Sequence, residues 1–295
     1  MQIQGNVVLI TGAASGIGKL MGKKVLEKGA AALVVWDINE AAVRATVEEF
    51  SSLGRVYGFR ADISSPESID EAYAATKKAC GRIDILINCA GIITNNRPFA
   101  EQTDADIIRT IDINTKGAMF VSLRFLRDKL GAGSAAGAGA GSAAGSDAGL
   151  AAPATGSPAP AAGHICNITS AAGMLAMPKM SIYAASKWAA IGWSESMRIE
   201  LRRQKSPVRV TTVAPYFINT GMFDGIRSFF KVQDPDAVAR KIIRSIERNC
   251  NFRGIPFPFH FIRLMQGLLP FRLFDPIFGD ICGLYSVMDH YTGRR

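Results

Sequence analysis

Short apolar runs alternate with stretches of helical period along most of the chain. Runs at Asn6–Ile10, Ala32–Trp36, Val56–Phe59, Asp84–Ile87, His164–Ile168 and Val208–Val213, with a seventh at Phe252–Phe257, predict strands. Between them, apolar positions three and four apart predict helices over Gly16–Glu27, Glu40–Ser51, Pro66–Ala79, Thr115–Lys129, Ser181–Arg203 and Pro235–Arg248. The strand runs are mostly continuous rather than alternating, so both faces are buried, as in a parallel sheet. Right-handed crossovers then give an α/β fold with one doubly wound sheet of about seven strands and helices on both faces.

One segment breaks the alternation. Of the 33 residues from Gly131 to Gly163, 14 are Ala, 9 Gly, 4 Ser and 3 Pro, with Asp147 the single charge. Such a segment has little to bury against its ordering entropy, so a flexible insertion within a single domain of residues 1–295 is expected. Residues 254–295 form an amphipathic tail. Phe261, Ile262, Leu264, Met265, Leu268 and Leu269 follow helical spacing. A second tail helix is expected with Asp275 as N-cap and Pro276 behind it.

Composition narrows the class. Hydrophobic residues make up 48% and charged residues 20%, ordinary for a globular domain, which excludes a disordered or collagen-like chain. No apolar run reaches the length of a spanning helix. The first strand begins at Asn6, so no secretory leader is expected. Five cysteines without a CxxC pair suit reduced thiols and a cytoplasmic location, and three scattered histidines give no metal site. The net charge is +9, and from Ser196 onward 16 Lys and Arg stand against 8 Asp and Glu. Nothing in the pattern suggests a nucleic-acid partner.

The candidate chemistry starts where the first strand meets the first helix. Thr11-Gly-Ala-Ala-Ser-Gly-Ile-Gly18 places Gly12, Gly16 and Gly18 where a backbone can approach a pyrophosphate at a helix N-terminus. A P-loop is excluded, because Ala13 and Leu20 stand where it needs glycine and a hydroxyl. Asp37 ends the second strand, about 20 residues on, where a carboxylate accepts from adenosine ribose hydroxyls or caps the next helix. By repelling a 2′-phosphate it favours NAD over NADP. Tyr183 and Lys187 are four residues apart on one helix face. An ammonium there should lower the phenol's pKa, so that Tyr183 exchanges a proton with an alcohol or a carbonyl. Ser170 ends the fifth strand, where it can hydrogen-bond the reacting oxygen.

Together, the glycine turn at 11–18, Asn88-Cys-Ala-Gly91, Asn114, Ser170 and Tyr183-Ala-Ala-Ser-Lys187 resemble the short-chain dehydrogenase/reductases, from Asn6 to about Arg248 apart from the insertion. The resemblance implies a Rossmann-type fold and an NAD(P)-dependent oxidoreductase with Asn114, Ser170, Tyr183 and Lys187 as catalytic residues. It implies that Asn114 holds a proton-relaying water and that Lys187 also binds the nicotinamide ribose. It adds Ser15, Ile17, Asp62, Ile63, Asn88, Ala90, Ile218 and Thr220 to the cofactor contacts. Tyr216 replaces the glycine usual in that region, and Cys89 replaces a common second asparagine. VVWDIN, TSAAG and APYFINTGMF are similar to the branch holding retinol dehydrogenases and 17β-hydroxysteroid dehydrogenases.

The substrate side is read from Tyr216, Met222 and Phe223, with Ile226, Phe229 and Phe230 following, a lining that suits an apolar alcohol, aldehyde or ketone. Biosynthetic carbonyl reduction with NADPH and a non-catalytic cofactor-binding regulator are the alternatives. The resemblance also implies a homodimer or homotetramer. The tail is expected to dock peripherally on a membrane, drawn by the C-terminal positive charge, or else to close the substrate pocket or a subunit contact.

Overall fold

The structure is a computed structural model that describes residues 1–131, 161–226, 228, 230–281 and 283–292. Seven parallel strands form one sheet: β1 (Val7–Thr11), β2 (Ala32–Asp37), β3 (Val56–Arg60), β4 (Ile85–Asn88), β5 (Gly163–Ile168), β6 (Val208–Pro215) and β7 (Phe252–Ile255). Their spatial order is β3-β2-β1-β4-β5-β6-β7. The chain reverses its direction of winding between β1 and β4, which pair from Val8↔Ile85 to Thr11↔Asn88. A crevice at the carboxyl ends of those two strands is where such a sheet binds ligands.

The period of two sorts the strand side chains into two buried layers. Val8, Ile10, Leu33, Val35, Ile85 and Ile87 face one layer with Met21, Val25 and Ile242. Val7, Leu9, Val34, Trp36 and Leu86 face the other with Ile69, Val121, Phe125 and Met197. The first layer is covered by α1 (Gly16–Glu27), α2 (Glu40–Phe50) and α7 (Pro235–Glu247), and the second by α3 (Pro66–Cys80), α5 (Ala118–Lys129) and α6 (Ser181–Arg203). Near-continuous apolar strands are thus the sequence image of a sheet covered on both sides.

Three differences from the predicted elements have local causes. A helix α4 (Asp104–Ile111) precedes the expected one and runs through a π-helical turn, Asp112–Gly117, into α5. Thr103 and Asp106 form a capping box that starts it. β7 stops at Ile255, because Pro256 and Pro258 have no N–H to continue a ladder, and Phe257–His260 winds into a 3₁₀ turn. In the tail, Ile262–Leu268 is a short helix α8, Phe271–Phe274 a further turn α9, and Asp275–Ile281 a π-helical turn rather than a long helix capped by Asp275.

Of the expected insertion 131–163, residues 132–160 lie outside the described residues and Gly163 already belongs to β5, while the flanks are tied together: the Ala161 N–H donates to the Lys129 carbonyl at 2.9 Å. The tail folds back over the carboxyl end of the sheet. Phe259, Ile262, Phe274, Leu284, Val287 and Met288 join Tyr183, Tyr216 and Phe217 in a third apolar cluster. Asn96 Nδ2 donates to the Met288 carbonyl, Gln266 Nε2 to the Met174 carbonyl, and Lys179 pairs with Asp289. The C-terminal positive charge is not in this tail. Of the 16 basic residues after Ser196, 12 lie in residues 196–253 and 4 in the tail, beside 3 acidic ones. Among the described residues no helix is long and apolar enough to cross a membrane.

Candidate active site

A cleft of about 340 Å³ opens at the carboxyl ends of β1 and β4. One wall is the glycine turn. Gly12 has φ +67°, and a Cβ on it would lie 2.8 Å from the Ala90 Cα; a Cβ on Gly18 would lie 2.1 Å from the Gly12 carbonyl oxygen. These contacts bring the turn against Ala90 and seat α1 behind it. Ser15 is the N-cap of α1 but makes no side-chain capping bond, so the first-turn N–H groups keep their donors. Uncapped donors at a positive helix end, beside backbone with no side chains in the way, fit a dinucleotide's pyrophosphate.

Asp37 lies beside that turn. Its Oδ2 accepts from the Ala14 N–H at 3.2 Å and its Oδ1 from the Asn39 N–H at 3.1 Å. The cap of α2 is Asn39, which accepts from the Ala42 N–H. Asp37 is therefore no helix cap, and its carboxylate lines the cleft with Ile38, Asp62 and Ile63. Asp62 is held by Ser64, whose N–H and hydroxyl both donate to its Oδ1. Ser15, Gly16, Ile17, Ala90, Ile218 and Thr220 also line the cleft.

Ser170, Tyr183 and Lys187 come together at the other end. Tyr183 is buried, and its ring meets Phe223 edge-on at 6.4 Å. The Lys187 ammonium lies 5.6 Å from the Tyr183 ring centre. Burial pushes the Tyr183 phenol up to about 12, partly offset by Ser170, which hydrogen-bonds its oxygen. Burial also pushes Lys187 down to about 8. The lowering of the phenol expected from the ammonium is therefore reversed, because desolvation of both groups disfavours their charged forms.

Two asparagines stand behind the wall instead of lining it. Asn88 Nδ2 donates to Ser122 Oγ and Asn167 Oδ1, both at 2.8 Å, so its side chain pins β4 to β5 and α5. At this point the cleft is lined by Cys89, Ala90 and Gly91. Asn114 sits in the π-helical turn. Its Oδ1 accepts from the Ile92 N–H at 2.8 Å, and its Nδ2 donates to the Ile92 carbonyl and to Ser186 Oγ. This clamp sets Gly91 between Asn114 and Lys187: a Cβ on Gly91 would lie 3.2 Å from Asn114 Oδ1 and 3.3 Å from the Lys187 Nζ.

Met222 and Phe223 line the cleft, as does Tyr216. Tyr216 is also a core residue. Its hydroxyl bonds Ser228 Oγ at 2.7 Å, and its ring packs on Phe217 and Phe259 at 4.6 Å and on Phe230 at 5.9 Å. Ile226 belongs to the same apolar cluster, and Phe229 lies outside the described residues. Arg109, Ile92 and Ile113 line the cleft too and escaped the sequence reading. Arg109 is carried by α4, and the signal for that helix is Thr103-x-x-Asp106.

The sequence profile of a family described as "short chain dehydrogenase" matches residues 6–154 and 151–229. "Epidermal retinol dehydrogenase 2" of Mus musculus is 31% identical over 300 residues, covering 99% of this chain and 87% of its own. "Estradiol 17-beta-dehydrogenase 11" of Macaca fascicularis is 28% identical over 273 residues, covering 92% and 81%. Among solved structures, a short chain dehydrogenase/reductase from Burkholderia phymatum in complex with NAD superposes with a TM-score of 0.73 at 24% identity, covering 90% of this chain and 95% of its own. A short chain dehydrogenase from Burkholderia cenocepacia J2315 in complex with NADP gives 0.71 at 23% identity, covering 93% and 98%. Both have the fold described above.

Proposed function

The chain belongs to the short-chain dehydrogenase family, and from that premise we propose that it interconverts an alcohol and a carbonyl on a lipophilic small molecule, with NAD preferred over NADP. One observation carries this reading. A single cleft joins an uncapped glycine turn and a carboxylate at one end to Ser170, Tyr183 and Lys187 at the other, with Met222 and Phe223 beside them. The relatives named for retinol and estradiol act in the same direction, towards an apolar substrate.

The geometry and the family resemblance together support the following roles. The α1 N-terminus and the glycine turn hold the pyrophosphate, and Asp37 accepts from the adenosine ribose hydroxyls. The nicotinamide, when bound, supplies or accepts the hydride. Tyr183 gives the proton to a carbonyl oxygen, or takes it from an alcohol, at its phenol oxygen. Ser170 bonds the same reacting oxygen. Lys187 binds the nicotinamide ribose and completes the proton path. Asn114 positions Ile92 and Gly91 and, as the resemblance implies, holds the water that relays the proton. Thr220 and the Ile218 backbone hold the carboxamide. Apolar side chains around Phe223 exclude water from the reacting carbon. Residues 1–295 then serve one catalytic domain.

Two features bear on partners. The tail's inner face closes the substrate end, while Phe257, Phe261, Leu264, Leu268, Leu273, Ile277 and Ile281 point to solvent. That outer face suits peripheral contact with a lipid surface, where an apolar substrate would reside. Leu123 on α5 and Trp188 on α6 are also exposed and suit a helix-paired homodimer or homotetramer.

The test is NADH formation across alcohols of rising apolar surface, including retinol and hydroxysteroids. Each further buried methylene contributes up to about 0.8 kcal/mol, so kcat/KM should climb by up to roughly fourfold per methylene until the pocket is filled. A flat or falling response removes the lipophilic reading.

A further inference from the structure

A second cavity, of about 240 Å³, lies at the opposite end of the strands from the cleft. It is walled by Arg198 and Arg202 from α6, Val208, Arg209 and Val210 from β6, and Asn249 and Asn251 from the turn before β7. Since β6 is eight residues long, this cavity and the catalytic end are separated by roughly 20 Å of strand.

Its electrostatics are one-sided. Arg198 is paired with Glu195 at 3.2 Å. Among the described residues Arg202 and Arg209 have no carboxylate partner, and no acidic side chain lines the cavity. A cation in the last turn of a helix complements its dipole. That explains one of Arg202 and Arg203, which both occupy the last turn of α6, but not Arg209 on the neighbouring strand.

The backbone adds a donor. The Thr212 N–H reaches the Asn251 carbonyl at 2.9 Å, and Thr212 is the first residue of β6 paired with β7. Strand groups alternate sides with period two, so Val210 turns its N–H and its C=O to the same edge, two residues before β7 begins. Guanidinium forks, two carboxamides and an edge amide surround a concavity large enough for a phosphate group.

We propose that this cavity is a second anion site, separate from the cofactor cleft, for a phosphate-bearing ligand. Arg202 and Arg209 grip the phosphate oxygens from two sides, and the Val210 N–H and the Nδ2 groups of Asn249 and Asn251 bond those that are left, Asn249 Oδ1 being held by the Met1 ammonium at 2.6 Å. The ligand is either a soluble phosphorylated molecule or a phosphorylated lipid headgroup.

The full chain is first saturated with NADH, so that its pyrophosphate seat is filled. Inorganic pyrophosphate is then titrated at low salt by calorimetry. One equivalent should bind to the wild type. R202A/R209A should weaken it by at least about tenfold per guanidinium removed, while R203A, in the same helical turn but outside the cavity, should leave it unchanged. NADH turnover and thermal unfolding of the double variant report that it is folded. Pelleting with vesicles containing phosphatidylinositol phosphate in excess of that with phosphatidylcholine alone, an excess lost in R202A/R209A, would assign the phosphate to a headgroup; pyrophosphate binding without that excess assigns it to a soluble ligand. The proposal is overturned if wild type binds no pyrophosphate, if R202A/R209A binds as wild type does, or if R203A weakens binding as much as the pair.

Discussion

The Lys187 ammonium lies 5.6 Å from the centre of the Tyr183 ring, one helical turn along α6, and both groups are enclosed. At that separation an ion is attracted to the ring face and to any charge on the phenol oxygen. Desolvation works against both. It drives the phenol up and the ammonium down, so the pair favours a neutral tyrosine beside a lysine that titrates near neutrality. A neutral phenol is a proton donor ready for a carbonyl oxygen.

Tyr183→Phe keeps the ring and its edge contact with Phe223 and removes only the proton carrier. Turnover should fall by about 10² to 10⁴ in either direction. NADH binding, followed by its fluorescence, should stay within a few-fold of wild type. Near-normal kcat in this variant would assign the proton step to another group.

The pH profile separates the two directions. For alcohol oxidation the active form is the phenolate. With the phenol raised to about 12, that form grows about tenfold per pH unit below it. The logarithm of kcat/KM for oxidation should therefore rise steadily from about pH 6 to pH 8 and level off towards pH 10, because further phenolate is offset as Lys187 gives up its charge. For carbonyl reduction the active form is the phenol, already complete over that range, so the same plot should be flat apart from a loss above about 8 as Lys187 gives up its charge. An oxidative plateau reached by about pH 7 would contradict this account.

Much of this was legible in the residues because each motif carries its own local rule. The continuous apolar runs specified buried parallel strands, and Gly12 and Gly18 sit where any Cβ would collide with neighbouring backbone. Tyr183 and Lys187 shared a face by spacing alone. What escaped depends on the third dimension. Asn88 sits next to the cleft in sequence, but its carboxamide turns inward to Asn167 and Ser122. Arg109 was invisible until α4 brought it to the cleft. The direction of the Tyr183 shift could not be read either, since burial is a property of the packed tail and loops rather than of the α6 sequence.

Asp37 should control the choice of cofactor. Asp37→Asn keeps an acceptor for the turn's N–H groups but loses the charge that repels a 2′-phosphate. The ratio of kcat/KM for NADH over NADPH should fall by at least about tenfold, which is about 1.4 kcal/mol. If wild type already uses NADPH as well as NADH, the preference for NAD is wrong and the NADPH-dependent reductase reading takes its place.

Deleting residues 132–160 and joining Gly131 to Ala161 through a short turn should leave kcat within about twofold. The flanks are already held by the Lys129–Ala161 bond, beneath the start of β5 and far from Ser170 at its end. Shortening the connection about sevenfold lowers its closure entropy by roughly 1.7 kcal/mol, so the melting temperature should hold or rise. A large loss of kcat would mean that the segment reaches the active site or a second subunit.

The tail gives the last expectation. Leu268 is 66% exposed and Ile281 80% exposed, while their neighbours Ile262, Phe274 and Leu284 are buried against the substrate end. Removing the two outward side chains should therefore spare the inner packing. With 4 basic against 3 acidic residues in the tail, attraction to anionic lipid has little to act through there, and apolar insertion has to supply the binding. Wild type should then pellet with neutral phosphatidylcholine vesicles and keep doing so in high salt. Each buried Leu or Ile contributes about 1.5–3 kcal/mol, so Leu268→Asp with Ile281→Asp should lower the partition coefficient by at least about 10². Turnover of a short, water-soluble alcohol by that variant should be unchanged, whereas turnover of a vesicle-dissolved substrate should drop. Equal pelleting of variant and wild type, or none by either, would leave the outer face of the tail without a lipid partner.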